Sequence, residues 1–136
     1  MDNHHDHEHR VTYAETDKMG FVYYGNYMVY FEIGRTELIR ASGTAYKELE
    51  EAGFFLPVIE ATCRYHRPGR YDDLLTIRTC VSEFKGIRLG FSYEVFREGE
   101  LLAEGSTTHA FMDAEGRPRK LSREIKDKLE TALKRA

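Results

Sequence analysis

The residue with most to offer chemically is Asp17, in the run YAETDKMGFVYYGNY. Gly20 and Gly25 bound its segment as a loop, and a helical pattern follows from Asn26. A helix N-terminus offers unpaired backbone N–H groups and partial positive charge, which favour negative charge developing on an oxygen. A carboxylate beside such a site is the minimum equipment for acyl transfer to water. Asp17 would then activate the water, or attack the carbonyl itself and form an anhydride. Phe21, Tyr23, Tyr24 and Tyr27 would wall the site and limit water. The competing reading makes Asp17 an ordinary turn residue, a common use of Asp in a Gly-rich loop.

Other constellations carry less. Cys63 and His66 are three apart on a predicted strand and face opposite sides, so they form no nucleophile–base pair. No GxSxG string exists, since Ser92 sits in GFSYE and Ser106 in EGSTT. Asp72 and Asp73 follow Pro68-Gly69 and read as turn residues. His4, His5, His7 and His9 have chelating spacing, yet no fixed partner set accompanies them, so residues 1–8 are expected to form a flexible His-rich tract. No GxxxxGK[ST] or GxGxxG string occurs. Neither a metal nor an organic cofactor is therefore expected.

The elements that must position Asp17 follow from periodicity. A first strand is expected over 10–15, from the alternation of Val11 and Tyr13. From Asn26, a plausible N-cap, to Ser42 a helix carries Tyr27, Phe31, Gly34, Leu38 and Ala41 on one stripe, and Gly43 suits its end. Gly34 in mid-helix costs about 1 kcal/mol relative to Ala, which suggests close backbone packing. A short helix is expected over 44–52, and strands over 56–66, 74–84, 87–97 and 100–112. The clearest is IRLGFSYEV, strictly alternating. Lys85-Gly86 and Glu98-Gly99 are tight-turn signals, making the last three strands an antiparallel meander. Ser122 caps a terminal helix carrying Ile125, Leu129 and Leu133, with Lys134 and Arg135 suiting its negative end. The predicted class is α+β, a long helix against a five-stranded antiparallel sheet, with residues 9–136 forming one domain.

Composition sets the outer limits. The chain has 136 residues, 41% apolar and 32% charged, enough for a core without a disulfide or metal. A formal charge of −3 gives no global pull toward nucleic acid or an anionic membrane, and no apolar run suits a signal peptide or membrane span. Two dispersed cysteines fit a reduced, cytoplasmic protein. Nine Tyr, eight Phe and no Trp are a heavy aromatic load for a chain too short to enclose a deep cleft, which points to a site shared between subunits.

The run from Tyr13 to Arg40 resembles the loop-and-helix signature of the hotdog-fold acyl-CoA thioesterases, in the 4-hydroxybenzoyl-CoA thioesterase-like group. The matching residues are Asp17, Gly20, Val22, Tyr23, Tyr24, Asn26 and Tyr27, then Phe31, Glu32 and Arg35. RPGRYDDLLTIRT and THAFMDAEGRPRKLS extend the match to roughly Arg10–Ser122. The resemblance implies a helix wrapped by the sheet, dimers or tetramers with sites at the subunit interface, and hydrolysis of an acyl-CoA. It assigns Asp17 as the catalytic carboxylate and Tyr24 as the residue whose backbone N–H polarises the thioester carbonyl. Many relatives carry His at the position of Tyr24, so no imidazole role transfers. Tyr23 and Tyr27 are expected to contact substrate. Lys85 and Arg88, with Arg117, Arg119 and Lys120, are expected to meet CoA phosphates. Two rivals stand beside this: a non-catalytic acyl-thioester binding module, and a thioesterase acting on acyl carrier protein.

Overall fold

The computed structural model describes residues 3–43 and 45–135. Its five strands are β1 (His5–Arg10), β2 (Val58–Tyr65), β3 (Leu74–Lys85), β4 (Arg88–Arg97) and β5 (Glu100–Ala110). They form one antiparallel sheet in the order β1-β3-β4-β5-β2, so β1 and β2 are its edges. The expected meander is β3–β4–β5. Gly86 turns its first hairpin at φ 60°, and Glu98 and Gly99 turn the second at φ 50° and 80°. Two consecutive left-handed residues match the twist of the flanking strands. One end of the sheet thus carries Arg10, Tyr65, Leu74 and Arg97, and the opposite end carries Val58, Lys85, Arg88 and Ala110.

Helix α1 (Asn26–Ala41) lies across one face of this sheet. A Cβ on Gly34 would stand 2.3 Å from Thr79 Oγ1 and 2.8 Å from Ile77 Cγ2, so α1 approaches β3 as closely as its backbone allows. Phe31 stacks on Tyr93 with ring centroids 4.4 Å apart, and its edge fills the space above Gly105 of β5. Phe31, Leu75, Ile77, Leu89, Phe91 and Val95 are fully enclosed, each worth roughly 1.5–3 kcal/mol of burial. Helix α2 (Ala45–Glu51) and helix α3 (Arg123–Arg135) pack together beyond α1, with Leu129 and Leu133 buried. Ser122 Oγ accepts from the Ile125 N–H at 3.2 Å, the cap expected for α3.

Four expectations need correction. The first strand is β1 at His5–Arg10, and residues 13–15 form a single 3-10 turn instead. The His-rich start is therefore paired to β3 over His5–Arg10 rather than frayed up to residue 8. His5, His7 and His9 are half-buried toward the helix, while Asp6, Glu8 and Arg10 face out, a period of two written in polar residues. In α1, Tyr30 is buried and Ala41 is exposed, because the contact stripe follows Tyr27, Tyr30, Phe31, Gly34 and Leu38. Asn26 is the first helical residue, not the cap; Gly25 holds that position without a side-chain cap. Thr44, where the second helix was expected to begin, lies outside the described residues.

Candidate active site

The Asp17 loop is closed on itself. The Asp17 N–H donates to the Phe21 carbonyl at 2.7 Å and the Gly20 N–H to the Asp17 carbonyl at 3.0 Å. Gly20, at φ 85°, supplies the left-handed residue this reversal needs. Asp17 Oδ1 accepts from the Met19 and Phe21 N–H groups at 2.9 and 3.1 Å. Oδ2 makes no hydrogen bond among the described residues. The turn reading holds: Oδ1 fixes the loop, while Oδ2 carries none of these bonds. Short bridges from Thr16 to Val22 and from Phe21 to Arg70 fasten the loop beside the start of β3.

A residue that sequence reasoning passed over sets this loop against α1. Glu15 accepts from the Tyr30 hydroxyl at 2.6 Å and the Thr12 hydroxyl at 2.8 Å, and bonds the His9 ring at 2.9 Å. Its carbonyl accepts from the Tyr23 N–H at 2.9 Å and from Asn26 Nδ2 at 2.8 Å. Burial pushes the Glu15 carboxyl up, but the hydrogen bonds from Tyr30, His9 and Thr12 outweigh it and hold it below the usual carboxylate range. Tyr30 in turn is raised by burial and by the facing carboxylate. Both ends of Glu15 thus lock the loop to the first two turns of the helix.

At the helix entrance the N–H groups of Asn26, Tyr27 and Met28 donate to the carbonyls of Tyr23, Tyr24 and Gly25. The N–H groups of Tyr24 and Gly25 make no hydrogen bond among the described residues. Two free amides at the positive end of α1 are what an oxyanion requires. Tyr24 and Asp17 line one cleft of about 310 Å³, together with Phe21, Tyr27, Tyr65 and His66. The Tyr65 hydroxyl donates to the Tyr24 carbonyl at 3.0 Å and so fixes that turn from β2. Desolvation of the hydroxyl and the neighbouring Cys63 push the Tyr65 phenol up to about 12, so it remains a neutral donor. Nothing in the spacing of Tyr65 pointed to this contact, which spans 41 positions.

The expected site residues divide into two groups. Asp17, Tyr24 and Tyr27 come together; Tyr27 is buried, and its hydroxyl accepts from the Gly69 N–H at 3.3 Å. Tyr23 packs its exposed ring on Tyr24, with centroids 4.8 Å apart, and does not line the cleft. Lys85 and Arg88 stand at the far end of β3, eleven residues on from Leu74, or roughly 36 Å at 3.3 Å per residue. Arg88 pairs loosely with Glu83 at 3.6 Å. Arg119 lies 3.9 Å over the Phe54 ring and donates to the Ala52 carbonyl at 2.9 Å, just past the end of α2. Lys120 joins Gly86, Ile87 and Lys126 around a separate cleft of about 340 Å³. One chain does not bring the basic residues to Asp17.

Among the described residues no three His, Cys, Asp or Glu side chains are placed to hold a metal ion, and no helix is long and apolar enough to cross a membrane. A sequence model of the Thioesterase-like superfamily matches residues 11–132. A putative acyl-CoA thioesterase of Bacillus subtilis, YneP, is 35% identical over 109 residues, covering 79% of each chain. The acyl-CoA thioester hydrolase YbgC of Escherichia coli is 31% identical over 118 residues, covering 85% of this chain and 88% of that one. The crystal structure of a DHNA-CoA thioesterase from Staphylococcus aureus superposes with a TM-score of 0.84 at 32% identity, over 94% of this chain and 91% of that one. With its long helix laid across a five-stranded antiparallel sheet, the chain has the hotdog fold and belongs to the thioesterase-like superfamily.

Proposed function

We propose that this protein hydrolyses acyl-CoA thioesters to a carboxylic acid and free CoA, with Asp17 as the catalytic carboxylate. The observation that carries this is that Asp17, with one carboxylate oxygen unengaged, and Tyr24, with its amide unengaged, line one aromatic-walled cleft. The thioester carbonyl oxygen accepts from the Tyr24 N–H at the positive end of α1, which stabilises the negative charge as the carbon becomes tetrahedral. Asp17 Oδ2 takes a proton from the attacking water; the C–S bond then breaks, and the thiolate leaves with that proton. Direct attack by Asp17, followed by hydrolysis of the anhydride, uses the same groups. Relatives named for acyl-CoA chemistry support the substrate class, and the free thiols of Cys63 and Cys80 suit a reducing cytoplasm.

The working unit in this reading is a homodimer formed along β2. This edge strand leaves Val58, Ile59 and Tyr65 each 46% exposed. A second copy of the chain is the occupant that symmetry makes simplest. Two β2 strands related by a two-fold axis run antiparallel, so the Tyr65 end of one meets the Val58 end of the other. The sheet end that carries Lys85, Arg88 and Lys120 then falls beside the partner's Asp17 cleft. Basic residues remote from Asp17 within one chain become its neighbours across the interface. CoA phosphates would meet them there. A panel of acyl-CoAs with thiol detection tests the activity. Asp17→Asn is expected to lower kcat roughly a hundredfold to ten-thousandfold while the fold persists by circular dichroism. Wild-type turnover in that variant overturns the assignment of Asp17, and saturable binding without turnover by the native protein favours the non-catalytic reading.

A further inference from the structure

A second cleft, larger than the one that holds Asp17, opens beside α1. It measures about 530 Å³, and Glu32, Arg35, Thr36, Tyr46, Leu56 and His109 are among the residues around it. Behind it runs a polar chain through the core. Arg35 Nη1 donates to the Tyr93 hydroxyl at 3.5 Å, Tyr93 bonds Thr107, Thr107 bonds His109 Nε2 at 2.8 Å, and His109 Nδ1 meets the Leu56 carbonyl at 3.2 Å. Its polarity is fixed at both ends, because a guanidinium can only donate and a carbonyl can only accept. His109 is therefore protonated on Nδ1, Thr107 donates to His109 Nε2, and Tyr93 donates to Thr107. Burial of His109 first, and the charge on Arg35 with it, holds the imidazole below its usual range and neutral. Tyr93 is clamped between Phe31 and Phe91, so the wire is rigid.

Arg35 begins that chain with one donor used, through a long bond, and four left over. It is half-buried, and no carboxylate lies within 4.0 Å of it among the described residues. Arg40, Arg78 and Arg97 each have an acidic partner. A half-buried, uncompensated guanidinium at the back of a cleft is arranged for an anionic oxygen that arrives with a ligand. The cleft lies at the Val58 end of β2, since His109 pairs with Val58 and Leu56 precedes it. In the β2 dimer that end adjoins the partner's Asp17 cleft.

We infer that this cleft seats the acyl group of a thioester bound at the partner's Asp17, and that Arg35 selects acyl chains ending in a second carboxylate. The inference rests on the dimeric thioesterase reading given above and names its substrate class. A single carboxylate suits the site better than a CoA diphosphate, because Glu32 and Glu50 offset Arg40 and Lys47 on the same lining and leave about one positive charge, that of Arg35, to match. Matched pairs test it: C4–C6 dicarboxylyl-CoAs against the straight-chain acyl-CoAs of equal carbon number, with kcat/KM measured for each. The native protein is expected to favour the dicarboxylyl member, and Arg35→Met to lower that preference roughly tenfold to a hundredfold, with Arg35→Lys intermediate. Thermal melting of both variants checks that they fold. An unchanged ratio in Arg35→Met overturns the inference, and so does an equal loss on both members, which would assign Arg35 to CoA. Should the native protein turn over neither series, the hydrolase reading fails separately, and calorimetric affinities of the same pairs for the native and Arg35→Met proteins decide the question instead.

Discussion

Replacing Glu15 with Ala tests whether the site is held together by the contacts described. Its carboxylate serves three side chains, those of Tyr30, Thr12 and His9, at 2.6, 2.8 and 2.9 Å. The largest loss falls on Tyr30, which is 1% exposed and would be left with an unsatisfied hydroxyl at a cost of about 1–3 kcal/mol. The Thr12 and His9 bonds lie nearer the surface and add about 1 kcal/mol together. The expected destabilisation is thus about 2–4 kcal/mol, measured by urea unfolding at fixed protein concentration. Glu15→Gln keeps one acceptor for Tyr30 and should fall between the native protein and Ala. pH gives an independent check. The folded carboxyl of Glu15 titrates below its ordinary value, so its contribution is complete above the unfolded pKa near 4.5 and is lost as pH falls through the lower folded value. The native protein should therefore lose more stability on acidification through that window than Glu15→Gln does. The same variants should lower kcat for any ester, because the Asp17 loop hangs from the Glu15 carbonyl and the residues around it. A loss in Glu15→Ala below about 0.5 kcal/mol, with parallel acid limbs for native and Gln proteins, would refute the bracing role.

Two further substitutions follow from packing. Gly34→Ala should destabilise the protein by about 1–3 kcal/mol in the same urea assay, although Ala favours helix, because the added methyl meets Thr79 and Ile77 within 3 Å. A neutral or stabilising result would mean that α1 can move off β3. Val58→Asp with Ile59→Asp places four charges along a β2 dimer seam. Analytical ultracentrifugation should then report monomer, with hydrolysis falling alongside; a fully active monomer would remove the shared site.

Much of this architecture is written locally. Period two in IRLGFSYEV, the left-handed turn at Glu98-Gly99 and the stripe from Tyr27 to Leu38 depend on neighbours a few residues apart, and they mark β4, its turn into β5, and α1 directly. The family resemblance located the Asp17 loop for the same reason, since loop and helix are contiguous. What escaped is what depends on a distant partner. His5, His7 and His9 alternate as a strand should, but imidazole carries no apolar signal, and their burial comes from α1 and β3. Asn26 was legible as a polar group serving backbone at a helix start. Whether it serves its own helix or the Glu15 carbonyl is decided by the fold. Arg119 reads as a free charge in the sequence, and its packing on Phe54 and its bond to the Ala52 carbonyl come from the fold.

The same distinction accounts for the basic residues. Sequence reading grouped Lys85 and Arg88 with Asp17, while the fold bridges the Asp17 loop to Arg70 before β3 and puts Lys85 at the other end of that strand, with Arg88 just past it. A single antiparallel sheet cannot remove that separation, because β3 runs the length of the sheet between the two ends. Pairing β2 with its own copy can: the two-fold reverses one sheet against the other and sets the Asp17 end of each chain beside the Arg88 end of its neighbour. In the proposed dimer the exposed side chains of β2 and the divided site residues have one cause. Each site proposed for that dimer takes Asp17 and the Tyr24 amide from one copy and Lys85, Arg88 and Arg35 from the other.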